Sequence, residues 1–180
     1  MTSARTTRLL IVIFLALLGV VALVQLNRPA DSPAATALPM LFPGIGPTQI
    51  TRIELENHMT GQKLTLVRVP GDWMGTDEKG QLVPVDLNRV TRMIQILPTL
   101  RYNRIMEGSD VKAFGLADGG LFVVRFDAGG STYTLHIGEL NSALTFAYVQ
   151  RGDNGPIGQI PATDANTLII LVRAADSSAP

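Results

Sequence analysis

The chain has 180 residues with 15 basic and 15 acidic side chains, so its formal net charge is zero. It has no cysteine, which excludes disulfides, thiol nucleophiles and thiolate metal sites. Past residue 26 it holds 13 basic and 15 acidic residues, a balance that argues against nucleic acid as a main partner, because that binding rests on neutralised phosphates.

The first predicted element is residues 9–26, apolar or Gly at seventeen of eighteen positions, with Gln25 the exception. As a helix this run is about 27 Å long, close to the hydrocarbon thickness of a bilayer, and a soluble helix is seldom apolar on every face. Arg5, Arg8 and the terminal amine precede it, which makes residues 1–8 a cytoplasmic tail and puts the C-terminal domain outside. The rival reading is a cleaved signal peptide. Its apolar core is usually shorter, and the nearest small-x-small site, Ala35-Thr36-Ala37, lies about ten residues past the run. The expectation is therefore a single-pass, uncleaved anchor in the inner membrane that contacts the bilayer through residues 9–26.

Residues 27–48 read as a Pro-rich linker, with Pro29, Pro33, Pro39, Pro43 and Pro47 resisting both helix and sheet. Met40, Leu41, Phe42 and Ile45 interrupt it and either dock on the domain or sit at the membrane surface. An extracytoplasmic domain follows over 49–173. Ile53 and Leu55 alternate with Arg52, Glu54 and Glu56, and Leu64 and Leu66 with Lys63 and Thr65, around a hairpin loop at 57–62. Trp73-Met74 reads as a short strand, Asp77 to Gly80 as a turn and Gln81 to Val85 as the next strand. Asp86 stands at a helix N-cap, with Leu87, Val90, Met93, Ile94 and Leu97 at helical spacing and Pro98 ending the run. Arg89 and Arg92 on its other face read as solvated side chains rather than an anion site.

Leu100 to Met106 reads as a strand and Asp110 to Phe114 as a helical turn closed by Gly115. Leu121 to Phe126 and Thr132 to Ile137 form a hairpin over Asp127-Ala128-Gly129-Gly130. Phe146 to Gln150 and Ile157 to Ile160 are strands, and a helix occupies about 164–173 before a disordered tail at 174–180. Gly80-Gln81-Leu82 with Pro84 and Asp86 resembles Gly158-Gln159-Ile160 with Pro161 and Asp164. Either the domain is a duplicated strand-rich/helix unit or strand-turn-helix grammar recurs by chance. The fold class expected is α+β: an antiparallel sheet domain with two packed helices behind one transmembrane helix.

Several stretches together resemble a bacterial family of membrane-anchored proteins, domain of unknown function (DUF) 4340. They are Ile53-Glu54-Leu55, Leu64 to Arg68 followed by Trp73, Pro84-Val85-Asp86, Phe114-Gly115-Leu116, Tyr133 to Gly138, and Ala147-Tyr148-Val149. The likeness covers roughly residues 40–173, with one departure: no Pro follows Leu116 closely. It implies an envelope location and, by likeness to some members, association with transport or gliding machinery. It implies no catalytic residues.

The residues themselves show no catalytic pattern. His58 falls in the hairpin loop, and His136 lies with Thr132 and Thr134 on the polar side of a strand, where a solvent-facing ring is expected. Two isolated histidines lack the spacing of a zinc site. Ser109, Ser131 and Ser142 lack a nucleophile elbow. Glu54 and Glu56 share a strand face with Arg52, which suits a solvated strand better than paired acid-base carboxylates. No cofactor or metal is expected. The leading reading is a non-enzymatic accessory subunit of an envelope or membrane complex with a membrane-protein partner. The alternative is a binding module for an envelope polymer or small ligand, using Trp73, Tyr102, Tyr133 and Tyr148 as an aromatic surface. A hydrolase with polar groups converging near His136 is a third.

Overall fold

The computed structural model describes residues 38–106 and 110–174. The strands are β1 (Ile50–Asn57), β2 (Gln62–Val69), β3 (Asp72–Asp77), β4 (Leu82–Val83), β5 (Arg104–Met106), β6 (Phe122–Ala128), β7 (Ser131–Leu140), β8 (Phe146–Arg151) and β9 (Ile157–Pro161). Two α-helices accompany them, α1 (Leu87–Ile96) and α2 (Ala162–Ala174). The strands form one antiparallel sheet in the order β4-β3-β2-β1-β6-β7-β8-β9-β5.

Period-two patterning sets the register. Ile53 pairs with Leu66 and Phe126, Leu55 with Leu64 and Val124, and Ile137 with Val149, so these apolar side chains share one face. On that face α2 packs across β1, β2, β6, β8 and β9, with α1 beside it. Val90, Met93 and Ile94 of α1 join Ala165, Leu168, Ile169 and Val172 of α2 in the same core. Asp86 starts α1 as an N-cap, its Oδ1 accepting from the amides of Asn88 (3.0 Å) and Arg89 (3.3 Å).

Two expectations are corrected. The α+β class gives way to a predominantly β fold, with nine strands and two α-helices on one face among the described residues. Each half runs as a four-stranded meander followed by a helix, β1–β4 with α1 and β6–β9 with α2, in the same strand order, and β1 pairs with β6 along nearly its whole length, so the halves share one sheet over one core. The strand expected from Leu100 is confined to Arg104–Met106, because residues 100–102 instead engage the chain at 39–41. There Leu41 donates to Leu100 O and Tyr102 to Pro39 O, and Met40 bridges Arg101. Leu41 and Phe42, in the stretch read as linker, are fully buried. The apolar run at 9–26 lies outside the described residues, among which no helix is long and apolar enough to cross a membrane.

At the β3–β4 edge the sheet ends in a two-residue strand; the Trp73 amide, beyond its reach, donates to Asp72 Oδ1 (2.8 Å), and the Asp77 amide pairs with Gln81 O (3.0 Å).

Candidate functional site

The face without helices divides into a roofed half and an open half. Over β7–β9 the segment 110–121 forms the roof. Asp110 caps its first turn by accepting from the Lys112 amide, and Gly115 closes that turn at φ 66°. The Phe114 ring packs on Tyr148 with centroids 4.2 Å apart, and the Phe114 carbonyl lies so close over Gly138 that a Cβ there has no room. Leu116, Val123 and Ile157 are buried beneath or within this roof.

Over β2–β4, the first part of β1 and the Arg125 end of β6, no other segment of the described residues covers the sheet. Arg52 and Arg125 both pair with Glu54 (2.8 and 3.1 Å), and Lys63 pairs with Glu56 at 2.8 Å. The Glu56 carboxyl is held below the usual carboxylate range, chiefly by the hydrogen bond from Lys63, against the opposing effect of its partial burial. Beyond this ion-paired ladder, Val67 and Met74 face each other across β2 and β3, and Leu82 follows on β4. They are 37%, 41% and 68% exposed.

The four aromatic residues singled out in the sequence do not share a surface. Tyr102 is buried, its hydroxyl donating to Pro156 O at 3.3 Å. Tyr133 lies on the core face, stacked on Phe126 with centroids 5.3 Å apart and edge-on to Phe42. Tyr148 sits under Phe114 on the opposite face. Trp73 packs its ring partly against the core and lines a shallow depression of about 200 Å³ with Met74, Leu82 and Leu87. A larger cleft of about 500 Å³ opens between the β1–β2 hairpin and the start of α1, lined by Lys63, Lys79, Glu78, Val85 and Arg89.

The histidines, expected apart, converge. His136 is not solvent-facing: it is 7% exposed, because the roof lies on the strand face that looked polar in sequence. Its Nδ1 lies 2.8 Å from Gly119 O and its Nε2 3.1 Å from Asp153 Oδ1. His58 places Nδ1 2.8 Å from Gly120 O and Nε2 3.6 Å from Glu56 Oε1. A Cβ at Gly119 would stand 3.4 Å from one ring and 3.6 Å from the other, so the two rings bracket this glycine. Both nitrogens of His136 thus lie beside acceptor oxygens, one a backbone carbonyl and one a carboxylate. No group of three or more ligating side chains with metal-site geometry occurs among the described residues. Sequence reasoning missed Asp153 and the Gly119–Gly120 pair as histidine partners; the consecutive glycines beside Asp118 were the available signal.

No family model, curated protein or solved structure matches this chain.

Proposed function

We propose that the chain is a non-enzymatic, membrane-anchored accessory subunit, held by residues 9–26, whose outer domain meets a membrane-protein partner through the open face of β1–β4. The observation that carries this reading is that half-face: a self-paired charge ladder beside exposed Val67, Met74 and Leu82. Apolar side chains grouped on an exposed surface mark interaction sites in soluble domains, and charged side chains at their border suit a polar rim. The short β4 edge offers few backbone groups for strand addition, which favours contact through side chains. The apolar run and the likeness to anchored DUF 4340 proteins support an inner-membrane location with the domain outside, where a neighbouring membrane protein is the nearest partner.

The test is a mild-detergent pull-down of the full chain beside a Met74→Asp/Leu82→Asp variant, with circular dichroism confirming that the variant folds. The same stoichiometric partner captured by the parent and lost by the variant supports the proposal. Equal capture by both contradicts it. The 500 Å³ cleft favours a second reading, a small-ligand module, since its volume suits a metabolite-sized guest.

A further inference from the structure

We infer that the partner meets the open face with a turn that bears an aromatic side chain, its ring laid on Met74 between Val67 and Leu82. This rests on the open-face reading above and adds the chemistry of what seats there. It comes from the internal symmetry of the sheet. β1 and β6 pair antiparallel at the centre, and β2–β4 with α1 follow β1 as β7–β9 with α2 follow β6. Pairs that face the core fix the correspondence. Leu66 with Gly75 on β2–β3 matches Ile137 with Val149 on β7–β8, and Gly75 with Val83 matches Val149 with Gly158. Counting on from Val83 and Gly158 at the same spacing brings together Leu87 and Ala162, the first residues of the two helices. It also sets buried Val90, Met93 and Ile94 on buried Ala165, Leu168 and Ile169. One correspondence therefore satisfies strands, helix starts and core alike.

Successive side chains on a strand alternate between faces, so the neighbours of these core pairs point to the outer face. In the first half they are Val67, Met74 and Leu82; in the second they are Gly138, Tyr148 and Ile157. The second patch is covered. The Phe114 carbonyl lies over Gly138, the Phe114 ring lies on Tyr148, and Ile157 is buried. The first patch has three exposed side chains at the same positions. The difference lies in the chain entering each half. Residues 110–121, which lead into β6, roof the outer face, whereas Leu41 and Phe42, which lead into β1, turn to the other face and join the core. The first half thus carries the platform of a roofed face with no roof of its own among the described residues.

The covered half shows what such a platform accepts: a short turn, Val111–Phe114, that contributes one aromatic ring and one backbone carbonyl. On the open half Met74 stands where Tyr148 does. A thioether packs favourably against an aromatic ring, with its sulfur about 5 Å away, and its unbranched side chain adapts to a ring from another chain. Val67 stands where Gly138 does, and its side chain keeps an incoming backbone further off, so the ring carries the contact. Aromatic anchors of this kind supply much of the binding energy at protein interfaces.

The experiment is photocrosslinking of the full chain in intact membranes from benzoylphenylalanine at Val67 or Leu82, followed by digestion and sequencing of the adducts. The expected result is that both positions mark one short stretch of the partner containing Phe, Tyr or Trp. Changing that aromatic residue to Ala should lower the Val67 adduct about tenfold at equal partner abundance. Adducts on a partner stretch without an aromatic residue, or a yield unmoved by the change to Ala, overturn this inference while the open-face reading stands. Adducts only to a second copy of this chain, or none from either position, overturn both.

Discussion

At the scale of single residues, burial is what makes groups unusual here. Tyr102 is 5% exposed with its ring against Gly158 and its hydroxyl on Pro156 O. Burial raises its hydroxyl above the ordinary value of 10.0, with the Arg151 charge opposing more weakly. The unfolded chain's hydroxyl therefore ionises first, and the contribution is complete below pH 10 and lost as pH climbs through the raised folded value. Tyr102→Phe should cost about 1 kcal/mol at neutral pH through the lost hydrogen bond while flattening the alkaline arm of a stability-versus-pH curve. An alkaline arm unchanged in the variant would show that another group causes it. Asp86 was readable as a cap because a cap depends on neighbours two and three positions away. The surroundings of His136 were not readable, because its roof comes from Gly119 and its carboxylate from Asp153, each 17 residues distant.

Among elements, the roof at 110–121 shows how close approach fixes a loop. Phe114 O occupies the space a Cβ at Gly138 would need. Gly138→Ala should therefore lift the first turn and destabilise the fold by about 1–3 kcal/mol. Hydrogen exchange reads this locally: the Leu116 amide, bonded to Val111 O at 3.0 Å, should exchange faster, whereas the β1–β2 amides should keep the parent's relative protection. Uniform acceleration would mean that the roof does not move separately. Strands β1 and β2 were readable from alternation, since one face is buried and the other charged, and β6 and β7 from the hairpin turn between them, although both are buried on two faces where the roof lies. The shortening of β5 was not, because its first residues are taken by Pro39–Leu41, a pairing that local pattern cannot express.

For the whole molecule, the decisive pairing is β1 with β6, which joins residues about 70 positions apart and makes one sheet from two locally plausible units. Sequence grammar gave hairpins and caps; the order in which hairpins meet depends on which apolar faces one core can hold. That core reaches Leu41 and Phe42. Phe42, fully buried and edge-on to Phe126 at 4.9 Å, should cost about 3–5 kcal/mol when changed to Ala, measurable by denaturant midpoint. A loss under 1 kcal/mol would place this stretch outside the core and return it to the linker.

The central claim concerns the open half of the sheet. The most direct measurement is photocrosslinking in intact membranes from a benzoylphenylalanine placed in turn at Val67, Leu82 and Thr91. The first two lie on the open β1–β4 face, and Thr91 lies on the solvent side of α1. One discrete membrane-protein adduct from positions 67 and 82, absent from 91, is the predicted result. The same adduct from all three positions, or one from position 91 alone, would contradict a partner seated on that face.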